Sequence, residues 1–126
     1  MSLRTPLGRV RGLGSAKEGT AHWWQQRLTA VILIPLSVWL MVTIVSLTRL
    51  SHAVVTAWME SPLNAVLLII LILTLFHHAQ LGVQVVIEDY IHSEWQKLGC
   101  IILVKFLALF AGLASILAVL KVFLGF

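Results

Sequence analysis

The chain reads as an all-α integral membrane protein with three transmembrane helices. Three observations predict it: 60% of the 126 residues are hydrophobic and only 11% are charged, the mean hydropathy is +0.98, and the apolar residues fall into three runs long enough to cross a bilayer. Soluble domains carry about a quarter of their residues as charged side chains, so a soluble globular fold is excluded. Three spans of roughly 20 residues leave no length for a sizeable extramembrane fold, and any large catalytic domain has to come from partner chains. The single cysteine, Cys100, cannot close an internal disulfide, and no CxxC or Cys/His pattern offers a zinc or iron–sulfur site.

The organisation predicted is a basic N-terminal segment over 1–27 and a three-helix transmembrane domain over 28–126, with helices at about 28–48, 62–89 and 98–121. The first run carries no formal charge from Leu28 to Thr48, with Arg27 and Arg49 just outside it. Pro35 lies within it, which a membrane helix tolerates with a kink. The second run is bounded by Glu60 and Glu88 and opens on Ser61-Pro62, an N-cap followed by proline at the first helical position. The third contains Lys105 near enough to its start for the ammonium to snorkel toward headgroups. Ala108, Ala111, Gly112, Ala114 and Ser115 give it small surfaces for close helix packing. The stretch from Arg49 to Glu60 reads either as a short interfacial helix or as the end of the first span.

Charge placement sets the orientation. Arg4, Arg9, Arg11, Lys17 and Arg27 all precede the first span, whereas the connection to the second has only Arg49. The positive-inside rule therefore keeps the N-terminus in the cytoplasm and, after three crossings, puts the C-terminus outside. Lys97 in the Glu88-to-Lys97 connection, and Lys105 after it, agree. Trp23, Trp24, Trp58 and Trp95 fall near span ends, as interfacial aromatics do, while Trp39 lies inside the first span. A transit or signal peptide is the competing reading of the basic start. The apolar run is too long for a signal h-region and lacks a small-residue cleavage site. Nucleic-acid binding is rejected, since the excess charge is a short tail ahead of a span.

Chemistry concentrates in the second span, which reads Phe76-His77-His78-Ala79-Gln80-Leu81-Gly82 and ends on Glu88-Asp89-Tyr90. At 100° per residue, Thr74, His78, Gly82, Val85 and Asp89 share one stripe, and His77 aligns instead with Gln84 and Glu88. The rise from His78 to Asp89 is about 16 Å, so the imidazole lies well below the cytoplasmic surface and Asp89-Tyr90 lies near it. Glycine one turn from His78 lets a flat macrocycle or another helix approach the backbone. A neutral imidazole there has two uses, as an axial ligand to haem iron or as a hydrogen-bond partner for a neighbouring helix. Spacing alone leaves both open. A transport track through His77, His78, Gln80 and Gln84 is a third reading, but the other spans answer it only with Thr43, Ser46, Ser115 and Lys105, which is sparse.

The order His78, Gly82, Asp89, Tyr90, set in the second of three spans after Arg27-Leu28-Thr29-Ala30, resembles the small hydrophobic membrane anchor subunit of succinate dehydrogenase, respiratory complex II, of the cytochrome b556 type. The segment from Gly14 through His22-Trp23-Trp24-Gln25-Gln26-Arg27 is similar to the alphaproteobacterial and mitochondrial version. The resemblance implies half of a haem-binding anchor bundle, completed by a larger cytochrome b anchor subunit. It assigns His78 as one axial ligand of a shared b-type haem iron, Arg27 to the haem propionates, Tyr90 to a ubiquinone carbonyl and Asp89 to support of the same quinone pocket. Further implied partners are an iron–sulfur subunit, a flavoprotein subunit and membrane lipid. Ubiquinone is the implied substrate, and no complete active site is expected in this chain alone. The implied location is the bacterial inner membrane, with the mitochondrial inner membrane as the alternative. A fumarate reductase anchor and a non-redox anchor or assembly protein are the alternative functions.

The charge argument makes a direct prediction about topology. Reporter fusions at the two termini should give opposite sidedness, with the N-terminal reporter cytoplasmic. The same sidedness at both ends would refute an odd number of crossings.

Overall fold

The computed structural model describes residues 5–10, 19–47 and 51–125. Arg4, Arg11, Lys17, Thr48, Arg49 and the Gly14-to-Glu18 portion of the resemblance lie outside the described residues, and of Arg9 only the backbone is described. Among the described residues the chain is entirely helical: α1 (Pro6–Val10), α2 (Gly19–Ser46), α3 (His52–Met59), α4 (Pro62–Tyr90) and α5 (Glu94–Leu124). Three of them, α2, α4 and α5, are long and apolar enough to cross a membrane.

These three helices outrun the apolar segments that announce them. With 28, 29 and 31 residues and 1.5 Å of rise per residue, each is about 42–47 Å long, against a hydrocarbon core of about 30 Å. The first begins at Gly19, nine residues ahead of the apolar run, so residues 19–26 belong to the same helix as the span. Helix α2 runs through Pro35. The chain after it forms the short helix α3, whose Ser51 N-cap side chain accepts from the Val54 amide. Trp58 of α3 stacks on Trp39 of α2 at 5.7 Å, which ties the short helix back against the first span.

Helix α4 starts at Pro62 with Ser61 as its N-cap, where proline's missing N–H costs nothing. It is the middle helix. It packs against α5 along one side and against α2 along another, while α2 and α5 do not meet among the described residues. The α4–α5 contact is close where Gly112 faces Phe76: a Cβ at Gly112 would stand 3.6 Å from the ring. The small side of α5 thus receives an aromatic knob, as membrane helix packing favours. Helix α5 ends on Gly125 at φ 75°, a left-handed cap that suits glycine.

Few side chains are buried in this chain. Leu36, Ala65, Leu71, Leu81, Ile87 and Val119 form the apolar interior, joined by the polar Thr29 and Thr74. Most other leucines, valines and phenylalanines face outward, which is the expected pattern where lipid is the solvent and apolar exposure carries no penalty. Shape and a few polar contacts therefore set how α2 and α5 sit on α4.

Candidate functional site

Polar side chains recur where α2 crosses the C-terminal half of α4. The helices run antiparallel, which sets Thr29 against His78 and Gln26 against Gly82. Thr29 is 8% exposed and His78 is half-buried. The Thr29 hydroxyl lies 2.9 Å from His78 Nδ1. It also lies 2.8 Å from the Gln25 carbonyl oxygen and 3.1 Å from that of Gln26. Thr29 donates to the backbone, and the Gln26 amide nitrogen nearest His78 Nε2 can only donate, so the arrangement consistent with both has the Thr29 oxygen accepting from His78 Nδ1. The imidazole is then the Nδ1–H tautomer, and its Nε2 carries the lone pair.

What faces that lone pair is weakly held. The Gln26 side-chain amide approaches Nε2 at 3.4 Å, the outer limit of a hydrogen bond. The same amide nitrogen lies 3.6 Å from where a Cβ would stand at Gly82, so Gln26 fills the gap the glycine leaves. Its Oε1 is buried without a partner, as is Nε2 of His22 one turn earlier on α2. Thr74, by contrast, is satisfied locally, donating to the Ile70 carbonyl at 2.8 Å.

The two adjacent histidines part company. His77 is exposed and opens onto the groove between α4 and α5, beside Gln80 and Lys105, whereas His78 faces α2. One residue of helix rotates them about 100° apart. His77 shares its side of α4 with a hydrogen-bonded row in which Gln80 donates to Gln84 at 3.4 Å and Gln84 to Glu88 at 2.8 Å.

The stripe through His78 is covered only in part. Thr74 is buried and His78 and Gly82 are half-covered, but Val85 and Asp89 are exposed. Ile87 is buried instead, nine residues and so half a turn away from His78. At its C-terminal end α4 therefore turns its covered face away from the stripe and leaves Asp89 open. Tyr90, the last residue of the helix, is 78% exposed. Arg27 is exposed near the same end of the bundle, its guanidinium 5.5 Å above the Trp23 ring, which stacks in turn on Trp24 at 5.6 Å. Among the described residues Arg27, Asp89 and Tyr90 form no ion pair or side-chain hydrogen bond.

Sequence reasoning placed His78 on its stripe but missed its two nearest partners. Thr29 stood in the Arg27-Leu28-Thr29-Ala30 motif without a role, and Gln26 was passed over. Their three-residue spacing puts both on one face of α2, a signal that the head of the first span had a polar side to present. Among the described residues no three His, Cys, Asp or Glu side chains group as a metal site.

The chain is similar to known proteins along most of its length. Residues 1–112 match the family model described as succinate dehydrogenase/fumarate reductase transmembrane subunit. The succinate dehydrogenase hydrophobic membrane anchor subunit of Rickettsia bellii is 38% identical over 117 residues, covering 92% of this chain and 93% of that protein. The protein of the same name from Paracoccus denitrificans is 30% identical over 81% of this chain and 79% of its own length. The succinate dehydrogenase membrane anchor subunit of Reclinomonas americana is 29% identical over 74% of this chain and 80% of its own length. No solved structure matches.

The hydrogen-bond geometry predicts the protonation of His78. In protein labelled with nitrogen-15 at histidine, the His78 ring should give the shifts of an Nδ1–H tautomer. Thr29→Ser should preserve them. Thr29→Val leaves the half-buried His78 N–H without its acceptor, and should lower stability in detergent by about 0.5–1.5 kcal/mol and shift the tautomer balance. An unchanged spectrum in Thr29→Val would mean that another group sets the tautomer.

Proposed function

The chain belongs to the succinate dehydrogenase/fumarate reductase transmembrane subunit family, and from that premise we propose that it is the hydrophobic membrane anchor of a succinate:ubiquinone oxidoreductase, contributing one side of a b-type haem site and of a ubiquinone-reduction site. The relatives that match along most of its length carry the succinate dehydrogenase name, which favours succinate oxidation over fumarate reduction as the working direction. The larger cytochrome b anchor, the iron–sulfur subunit and the flavoprotein are the partners this reading requires.

The observation that supports the haem assignment is the state of His78. An axial imidazole ligand presents a bare nitrogen to iron while its other nitrogen donates a hydrogen bond that holds the ring. Thr29 supplies that acceptor at 2.9 Å and leaves Nε2 as the coordinating atom. Coordination requires only that the Gln26 amide, held by a 3.4 Å contact and with its oxygen unpaired, swings off Nε2. The residues therefore fit the group. Bound between this chain and its partner, a b-type haem supplies reversible one-electron chemistry whose potential follows its axial ligands and surroundings. Arg27, exposed and without an ion pair among the described residues, has the fixed guanidinium fork that suits a propionate carboxylate.

The quinone end is assigned to Tyr90 and Asp89. Exposed at the end of α4, the Tyr90 phenol can donate to a quinone carbonyl and stabilise the negative charge that develops on its oxygen as electrons arrive. Asp89 beside it can hold a partner-chain arginine and pass protons from the aqueous side. Succinate oxidation itself belongs to the soluble subunits. What this chain contributes is the position of the acceptor, one ligand and a route for protons.

Two expected outcomes test the reading. His78→Leu should abolish or shift the low-spin b-type haem spectrum of the complex compared at equal flavin content, while His77→Leu, on the other side of α4, should leave it intact. Normal haem in the His78 variant and lost haem in the His77 variant would reverse the register. Tyr90→Phe should lower quinone reduction roughly threefold to tenfold, the worth of one hydrogen bond, with succinate oxidation by an artificial acceptor retained. Equal loss of both activities would indicate failed assembly rather than a missing donor.

A further inference from the structure

The gap between α2 and α5 has a use that the haem and quinone assignments do not draw on. Because those two helices do not pack together among the described residues, α4 forms the floor of a cavity of about 440 Å³ between them, lined by His22 and Gln25 of α2, Gln84 of α4 and Lys105 of α5. Its walls are rich in hydrogen-bonding side chains. On the α5 side it adjoins a groove of about 220 Å³ between α4 and α5, apolar along Phe76, Ala108 and Leu113, and the two spaces share Gln80 and Lys105. A polar chamber thus continues into an apolar slot that runs along the membrane-spanning helices.

The charges in this region are unbalanced. Lys105 stands eleven residues into α5, about 16 Å along the axis from Glu94, within a segment that crosses the membrane. Among the described residues it makes no ion pair and no hydrogen bond. No carboxylate among the described residues pairs with it: Glu94 pairs with Lys97 at 3.4 Å, Glu88 accepts the Gln84 amide at 2.8 Å, and Asp89 forms no ion pair. Side chains on a helix lean toward its N-terminus, so the Lys105 ammonium reaches up toward the headgroup level rather than down into hydrocarbon. On the opposite wall, His22 Nε2 is buried without a partner. An uncompensated cation and an orphaned ring nitrogen therefore face one polar space, and an apolar slot leads away from it.

We propose that this composite cavity is a binding site for one anionic phospholipid of the adjoining leaflet, with its phosphate between Lys105 and His22 and an acyl chain lying in the α4–α5 groove. Each feature meets one part of that ligand. The ammonium meets the phosphate charge, His22 and the glutamine amides meet its oxygens, and the groove meets the chain. A zwitterionic lipid brings its own cation to Lys105 and loses that advantage. A free phosphate would leave the groove unfilled.

The site is tested by native mass spectrometry of the intact assembly containing this full chain, titrated with phosphatidylglycerol or with phosphatidylcholine of the same acyl chains. Phosphatidylglycerol should be retained preferentially. Lys105→Gln should weaken that retention about fivefold, the worth of one lysine beside an anionic lipid, and Lys105→Arg should keep it. Ala108→Phe, which fills the slot without touching the charge, should reduce it as well, whereas Lys121→Gln at the far end of α5 should not. Equal retention of the two lipids, no change in Lys105→Gln, or equal protection by glycerol phosphate without acyl chains would overturn the proposal. A Lys105→Gln chain that does not assemble leaves the decision to Ala108→Phe on the same measurement.

Discussion

A polar side chain within hydrocarbon has to find its partner inside the protein, and the Thr29–His78 hydrogen bond is where α2 and α4 meet that demand. Interhelical hydrogen bonds in membranes contribute only about 0.6 kcal/mol on average, so this contact does not hold the fold together by strength. Its effect is on register. Sliding α2 by one turn in one direction along α4 would put Ile32 or Leu33 against His78 and leave the imidazole unanswered. Gln26 over Gly82 then follows from the antiparallel crossing, and so does His22 near Gln84. The same bond holds the ring and sets its tautomer, which links helix packing to what the histidine can coordinate.

Much of this architecture was legible in the sequence because membrane helices advertise themselves by length and apolarity. The start of α4 was legible for a second reason: Ser61-Pro62 is a local signal, and the helix begins there. The start of α2 was not. Hydropathy measures the stretch that hydrocarbon requires, whereas the helical hydrogen-bond ladder continues as long as the backbone can extend it, and Gln25, Gln26 and His22 are good enough helix residues to carry it back to Gly19. At the site, helical periodicity placed His78 and Gly82 on one stripe and His77 off it, because that is local geometry. It could not say that Thr29, 49 residues away, is the acceptor, since nothing within α4 encodes which side of α2 will face it.

The position of α4 explains why neighbouring histidines end in different surroundings. A helix covered by α2 on one side and α5 on another presents two unlike interfaces within a single turn. The α2 side is narrow, with threonine, glutamine and glycine in close contact. The α5 side widens into the groove beside Lys105, and its polar residues run in a row from Gln80 to Glu88. Under the functional reading proposed here, these sides divide the labour: coordination belongs to the tight side, where the ring is held, and lipid to the open side, where no ion pair among the described residues meets the lysine charge.

A distinction between satisfied and unsatisfied polar groups points to where partners would act. Deep in the span, Thr29, Thr74 and His78 Nδ1 are answered by groups of this same chain, as hydrocarbon requires. Toward the C-terminal end of α4 the pattern inverts: Arg27, Asp89 and Tyr90 are exposed and unpaired among the described residues. At a membrane surface water can solvate such groups, so their exposure alone requires no partner. Their placement does more. Under the proposed function, a guanidinium, a carboxylate and a phenol toward one end of the bundle would suit propionates, a partner-chain arginine and a quinone carbonyl, while His78 Nε2, deeper in the span, is only loosely covered. The proposed assembly would supply them together.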